Sequence, residues 1–180
     1  SIGTKLPLAG GTLTGTLIIT GGTAYGLNIT TSGTQDTINI NRAANNDNAI
    51  TKYQTASADK WIVGLRNTGD DNFRFYSYGT SSDVLTINQA DGNVGIGTDL
   101  PSSYDAEADD LVIYNAVTPG ITIALPQTTA AGSARGSILF SDGTSGNQKY
   151  RGGVIYDHGT GMGGVADTMY LRAAVNSYLA

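Results

Sequence analysis

The sequence predicts an all-β fold, on three observations: abundant turn-forming glycine, short apolar runs rich in β-branched residues, and alternation of apolar with polar positions inside those runs. Glycine occurs 25 times in 180 residues and supplies the positive φ that tight turns need. Ile, Val and Thr recur in the short runs, and β-branching suits the pleated surface of a strand. Leu27-Asn28-Ile29-Thr30 and Ile38-Asn39-Ile40-Asn41 alternate with the period of two of a half-buried strand.

Taken in order, strand signals fall at Leu17–Thr20, Gly26–Thr30 and Thr37–Asn41, separated by Gly21-Gly22 and Ser32-Gly33. A polar turn region at 43–48 comes next, then strands at Ala49–Gln54, Lys60–Asn67, Asn72–Tyr78, Val84–Asn88 and Asn93–Gly97. Trp61, Val63 and Leu65 alternate onto one face, and the stretch 68–72 reads as a hairpin loop. Ala90–Gly92 reads as a tight turn. At 101–110 the composition shifts: residues 105–110 form the one dense acidic run, and Pro101 disfavours helix just before it. This marks an acidic linker and divides the chain into an N-terminal segment 1–42, a middle β-rich part 43–100, and a C-terminal β module 111–180. Within that module, strands are expected at Leu111–Asn115, Ile121–Leu125, Ser137–Ser141, Arg151–Tyr156 and Thr168–Arg172. Met169–Ala180 also carries apolar residues at helical spacing, so a short C-terminal helix is the alternative there.

Composition sets limits on function. Disordered chains combine low hydrophobicity with high net charge, whereas 39% of these residues are apolar and the net charge is only −5, which favours order. The absence of cysteine excludes disulfides and thiolate metal sites. No apolar run approaches the ~20 residues that span a bilayer, and no signal peptide is visible at Ser1. Ten scattered basic residues and a pI near 4.5 argue against nucleic acid as a partner, because phosphate neutralisation needs clustered Lys and Arg.

Three stretches resemble bacteriophage tail-fibre and related virion-appendage proteins. Residues 5–15, LPLAGGTLTG after Lys5, look like a module that recurs in fibre shafts. Residues 91–98, DGNVGIGT, are similar to a segment common in phage structural proteins. Gly153-Val154-Ile155-Tyr156-Asp157-His158 with Asp167-Thr168-Met169-Tyr170-Leu171 resembles a paired motif toward the C-terminal part of many fibres, with 159–166 as a lengthened connection. The resemblance implies an elongated, parallel homotrimeric fibre of short strands and β-arcs, with a shaft-like N-terminal segment and small β-rich knobs. It implies a virion location, contacts with other virion proteins of the tail, baseplate or capsid, and a part in attachment to a host surface glycan or protein. Trimer formation fits elementary energetics. Short strands with one or two large apolar residues each must offset an ordering entropy of about 1–2 kcal/mol per residue, and three chains can bury one shared stripe. In this reading Leu6, Leu8, Leu13, Leu17, Ile19, Leu27 and Ile29 face the threefold axis or a neighbour. Alternatives are a capsid-decorating or head-fibre trimer, a bacterial trimeric adhesin, and a polysaccharide depolymerase fragment.

No catalytic, cofactor-binding or metal site is assigned, and no enzyme activity is expected. The stretch 159–164 formally matches G-x-G-x-x-G, but nothing helical of useful length comes after it, so it reads as a loop. His158, the one histidine, could join Asp157 or Asp142 in a triad, yet a lone histidine beside a turn reads as structural or exposed. Glycoside cleavage requires two carboxyls about 5–9.5 Å apart, and Asp70/Asp71 or Asp105, Glu107, Asp109 and Asp110 are the candidates. The same oxygens could hold calcium, but no Asp-x-Asp-x-Asp-Gly loop is present. Asn28-Ile29-Thr30 matches a glycosylation acceptor incidentally. Trp61, Phe73, Phe75, Tyr76 and Tyr78 are expected to pack a hairpin knob, and where they protrude they are the first place to look for receptor contact.

Overall fold

The computed structural model describes residues 38–125, 135–158, 167–173 and 177–179. The N-terminal shaft-like segment up to residue 37, with its leucine stripe, the Asn28 acceptor and the first fibre-like motif, lies outside the described residues. So does the glycine-rich stretch 159–164.

Among the described residues ten strands form two sheets, and the all-β expectation holds: the only helical turns there are two short 3-10 segments, Pro101–Ser103 and Gly146–Tyr150. The first sheet contains β1 (Ala49–Thr55), β2 (Ala58–Leu65), β3 (Phe73–Ser77), β4 (Ser82–Ile87), β5 (Val94–Ile96) and β6 (Leu111–Ile113), in sequence order. The second contains β7 (Arg135–Phe140), β8 (Gly152–Asp157), β9 (Thr168–Ala173) and β10 (Ser177–Leu179), also as neighbours in sequence. The antiparallel run β1 to β5 needs only short turns, which the glycine-, asparagine- and serine-rich intervals provide.

Strand β1 turns into β2 through Ala56 and Ser57, both at positive φ (49° and 65°). That is the backbone of a two-residue hairpin whose twist matches the strands it joins. The predicted loop at 68–72 does join β2 to β3. Between β4 and β5, the amides of Gly92 and Asn88 bond the carbonyls of Asn88 and Asn93 respectively, and the Asn93 amide donates to Asp91 Oδ1 at 3.0 Å. This closes a tight turn on Gly92, whose φ is +84°.

The structure differs from the sequence reading in four places. First, the acidic stretch 101–110 does not detach the segment that begins at Leu111 from the middle part. Instead β6 pairs with β5 in parallel, the Val94 amide bonding the Asp110 carbonyl and the Tyr114 amide the Ile96 carbonyl. A parallel pair needs a crossover of about a dozen residues, and 97–110 is that crossover. Second, Ile121–Leu125 is not a strand: Ile123 and Leu125 lie over the second sheet beside Gly136. Third, 38–41 alternates in sequence but forms no strand. Fourth, the C-terminal region takes the extended option, since β9 pairs with β8 from Thr168 to Ala173 and with β10 beyond.

Candidate functional site

Residues paired across strands share a face, and in the first sheet the register sorts them into two chemistries. One row runs Thr51, Val63, Phe75, Leu85, Ile96 and Ile113 across all six strands. The next row runs Ala49, Leu65, Phe73, Ile87, Val94 and Leu111, and Tyr53 pairs with Trp61 beside them. No Asp, Glu, Lys or Arg stands in these rows. Much of this apolar face is open: Trp61 is 43% exposed, Phe75 37% and Leu111 54%. Tyr53, Trp61, Val63 and Phe75 surround a shallow hollow of about 330 Å³. Phe73 and Phe75 meet edge to face, with ring centroids 6.0 Å apart.

The opposite face carries the row Ile50, Gly64, Arg74, Thr86, Gly95 and Val112. Here Arg74, Thr86 and Val112 are buried, Arg74 to 2% exposure. An arginine this deep must be paired, because an uncompensated buried charge costs several kcal/mol. Its Nη2 donates to Asp70 Oδ2 at 2.7 Å, and its Nε lies 3.4 Å from Asp83 Oδ2. Asp83 in turn accepts from Arg66 Nη1 at 2.7 and 2.8 Å, and the Arg66 guanidinium lies 4.0 Å from the Tyr76 ring centroid. Arg42 completes the clasp, donating to the carbonyls of Asn45, Arg66 and Asp70 and to the Asp71 carboxylate. The Arg74 guanidinium, ahead of the Asn72 amide, holds the Asp70 carboxyl down at about 2, below its ordinary 3.8.

The crossover covers the β5 end of the same face. A Cβ on Gly95 would collide with the Thr98 carbonyl, and one on Gly97 (φ +77°) with the Tyr114 carbonyl. Pro101 and Asn93 are buried alongside, and Ser102 Oγ donates to Asp91 Oδ2 at 2.6 Å, lowering the Asp91 pKa. Packing therefore explains Gly95 and Gly97 of the GNVGIGT motif, and the positive φ of its turn explains Gly92.

The second sheet repeats the division with its own cover. Ile138, Val154 and Leu171 form an apolar row, with Tyr156 and Met169 beside it. Ile123 and Leu125 lie across part of it and leave a hollow of about 240 Å³. On the reverse, Asp157 is fully buried and accepts from Arg135 Nε at 3.2 Å.

These placements separate the residues singled out from sequence. Trp61, Phe73 and Phe75 share the open face, but Tyr76 lies on the opposite one and Tyr78 packs edge-on against it at 5.2 Å. The five aromatics are thus two groups. The Asp70 and Asp71 carboxylates are each held by a different arginine, Arg74 and Arg42 respectively. Asp142 is paired with Arg151 and Asp157 with Arg135, whereas His158 faces Asp167 at 3.3 Å and stacks edge-on against Tyr156. The acidic run folds into a local turn, with the Glu107 amide on Asp105 Oδ1. Among the described residues, no group of three or more His, Asp or Glu is arranged to hold a metal. No helix among them is long and apolar enough to cross a membrane.

The sequence reading does not find Tyr53, Ile87, Ile96 and Leu111 as parts of the open face, and it misses the Arg42–Arg66–Arg74–Asp83 clasp entirely. No protein-family model and no curated protein matches the chain.

Proposed function

We propose that this chain is a structural segment of a bacteriophage virion fibre, most simply a tail fibre, in which three copies assemble and contribute to host-cell attachment. The observation that carries this reading is the open apolar surface on single-layered sheets. The first sheet has one face closed by ion pairs around the buried Arg74, and no second layer in the described residues covers its other face. A sheet with one closed and one open apolar face needs a partner to complete its core. The three fibre-like motifs name the kind of assembly in which identical chains supply that partner.

The reading assigns the chain display and contact, and no reaction. Weak contacts repeated three times per fibre, and over several fibres, gain about 10²–10⁴ in avidity where geometry permits simultaneous engagement. Antibody raised against the chain and labelled for electron microscopy tests the location. Label at the tail of virions is expected; label on the capsid would move the chain to a head fibre, and virions without label would refute the virion reading.

A further inference from the structure

We infer that the apolar face of the first sheet is the surface on which copies of this chain meet, and that the clasped Arg74 face points away from that contact. This rests on the trimeric reading above and names the surface that reading leaves open.

Size is the first support. Tyr53, Trp61, Phe73, Phe75, Ile96 and Leu111 are each 37–54% exposed. With about 150–250 Å² to bury on each large side chain, they leave roughly 500–600 Å² of contiguous apolar surface. That reaches the upper end of the largest patches on monomers and approaches the ~800 Å² that one partner gives to a stable interface.

Charge is the second. The chain carries a net charge of −5, so an identical copy approaching over charged surface meets like charge. The rows through Phe73 and Phe75 hold no ionisable acid or base and present no such barrier. Aromatic enrichment with charge depletion is also the composition of interface cores. The opposite face offers Lys52, Asp59, Arg66 and Asp83, already paired within the chain. Cover is the third: Ile123 and Leu125 lie on the second sheet's apolar face, and nothing comparable lies on the first among the described residues.

Trp61 is the sole tryptophan, so its fluorescence reports on this face alone. In the intact wild-type chain at assembling concentration, emission is expected to be blue-shifted and resistant to acrylamide, and to shift red on dilution as the mass falls. Phe75→Glu should weaken assembly at least tenfold, read by sedimentation, with circular dichroism checking that the strands persist. Lys52→Glu, on the clasped face, should leave the mass unchanged. A wild-type oligomer whose Trp61 is freely quenched would overturn this inference while leaving the trimer intact, and would do so even if Phe75→Glu fails to fold. A folded Phe75→Glu chain of unchanged mass would do the same. A wild-type monomer would overturn both.

Discussion

On one face of the first sheet, Phe75 and Trp61 stand partly open with no charged neighbour in their rows; on the other, one pleat away, Arg74 and Thr86 are buried. The two faces are made by the same strands, so the difference lies in what covers them. The clasped face is covered by local chain: the loops at 42–47 and 66–72 and the crossover after β5. Among the described residues, nothing local covers the open face. A chain that commits Arg42, Arg66 and Arg74 with their aspartates to sealing one side, while leaving aromatic rings on the other, keeps the surface that holds the fold together separate from the surface proposed for assembly. The second sheet carries the contrast in milder form, with Asp157 and Arg135 behind and a partly covered apolar row in front.

Breaking the clasp should give the largest effect. Arg74→Ala leaves Asp70 and Asp83 without their shared cation and opens a buried hole; a loss of about 3 kcal/mol is expected. Urea denaturation at fixed chain concentration checks it, because an assembling protein's stability depends on concentration. Next comes Gly64→Ala. Gly64 sits at φ +132°, and a Cβ there would lie 2.5 Å from the Ala49 carbonyl, pressing β1 off β2. A cost of about 2 kcal/mol is expected in the same assay.

Acid should loosen the clasp before it touches the open face. The Asp70 carboxyl, held at about 2 by Arg74, is depressed below its ordinary value. Its contribution is therefore fully present above about pH 5, declines as pH falls through 4, and is lost as pH passes below about 2. Asp70→Asn should be less stable at pH 7 and show a shallower fall in urea midpoint between pH 5 and 2 than the wild type. The smallest effect has the opposite sign. Thr86 is fully buried, and its hydroxyl finds no hydrogen-bond partner among the described residues. Thr86→Val keeps the shape and removes the unsatisfied group, so a gain of up to about 1 kcal/mol is expected.

How much of this is legible in the sequence varies with the range of the interaction. Strands β1 to β5 are visible because alternation and turn residues are local signals, and Trp61-Ile62-Val63 with Phe73-Arg74-Phe75 alternates between the faces as those signals predict. The Ala56-Ser57 turn is not visible, since neither residue is one of the Gly or Asn types that favour positive φ. Leu111–Ile113 reads as a strand, but the sequence puts it on the wrong side of a boundary. Acidic composition marks solvated chain equally well in a linker and in a crossover, and parallel pairing is a long-range event. Ile121–Leu125 alternates like a strand because a segment lying on a sheet also needs an apolar underside. The clasp joins Arg42 to Asp71 and Arg66 to Asp83, 29 and 17 positions apart, and no local pattern announces such pairs. The open face is half-legible: its aromatics stand out by residue type, but type alone does not separate Tyr76 and Tyr78, which the alternation sends to the other side.

The mass of the intact chain in solution, by sedimentation equilibrium at micromolar concentration and near-neutral pH, tests the central claim most directly. Three copies meeting through their open sheet faces require a species of three times 18.6 kDa. A stable, folded species of 18.6 kDa across that concentration range would contradict it.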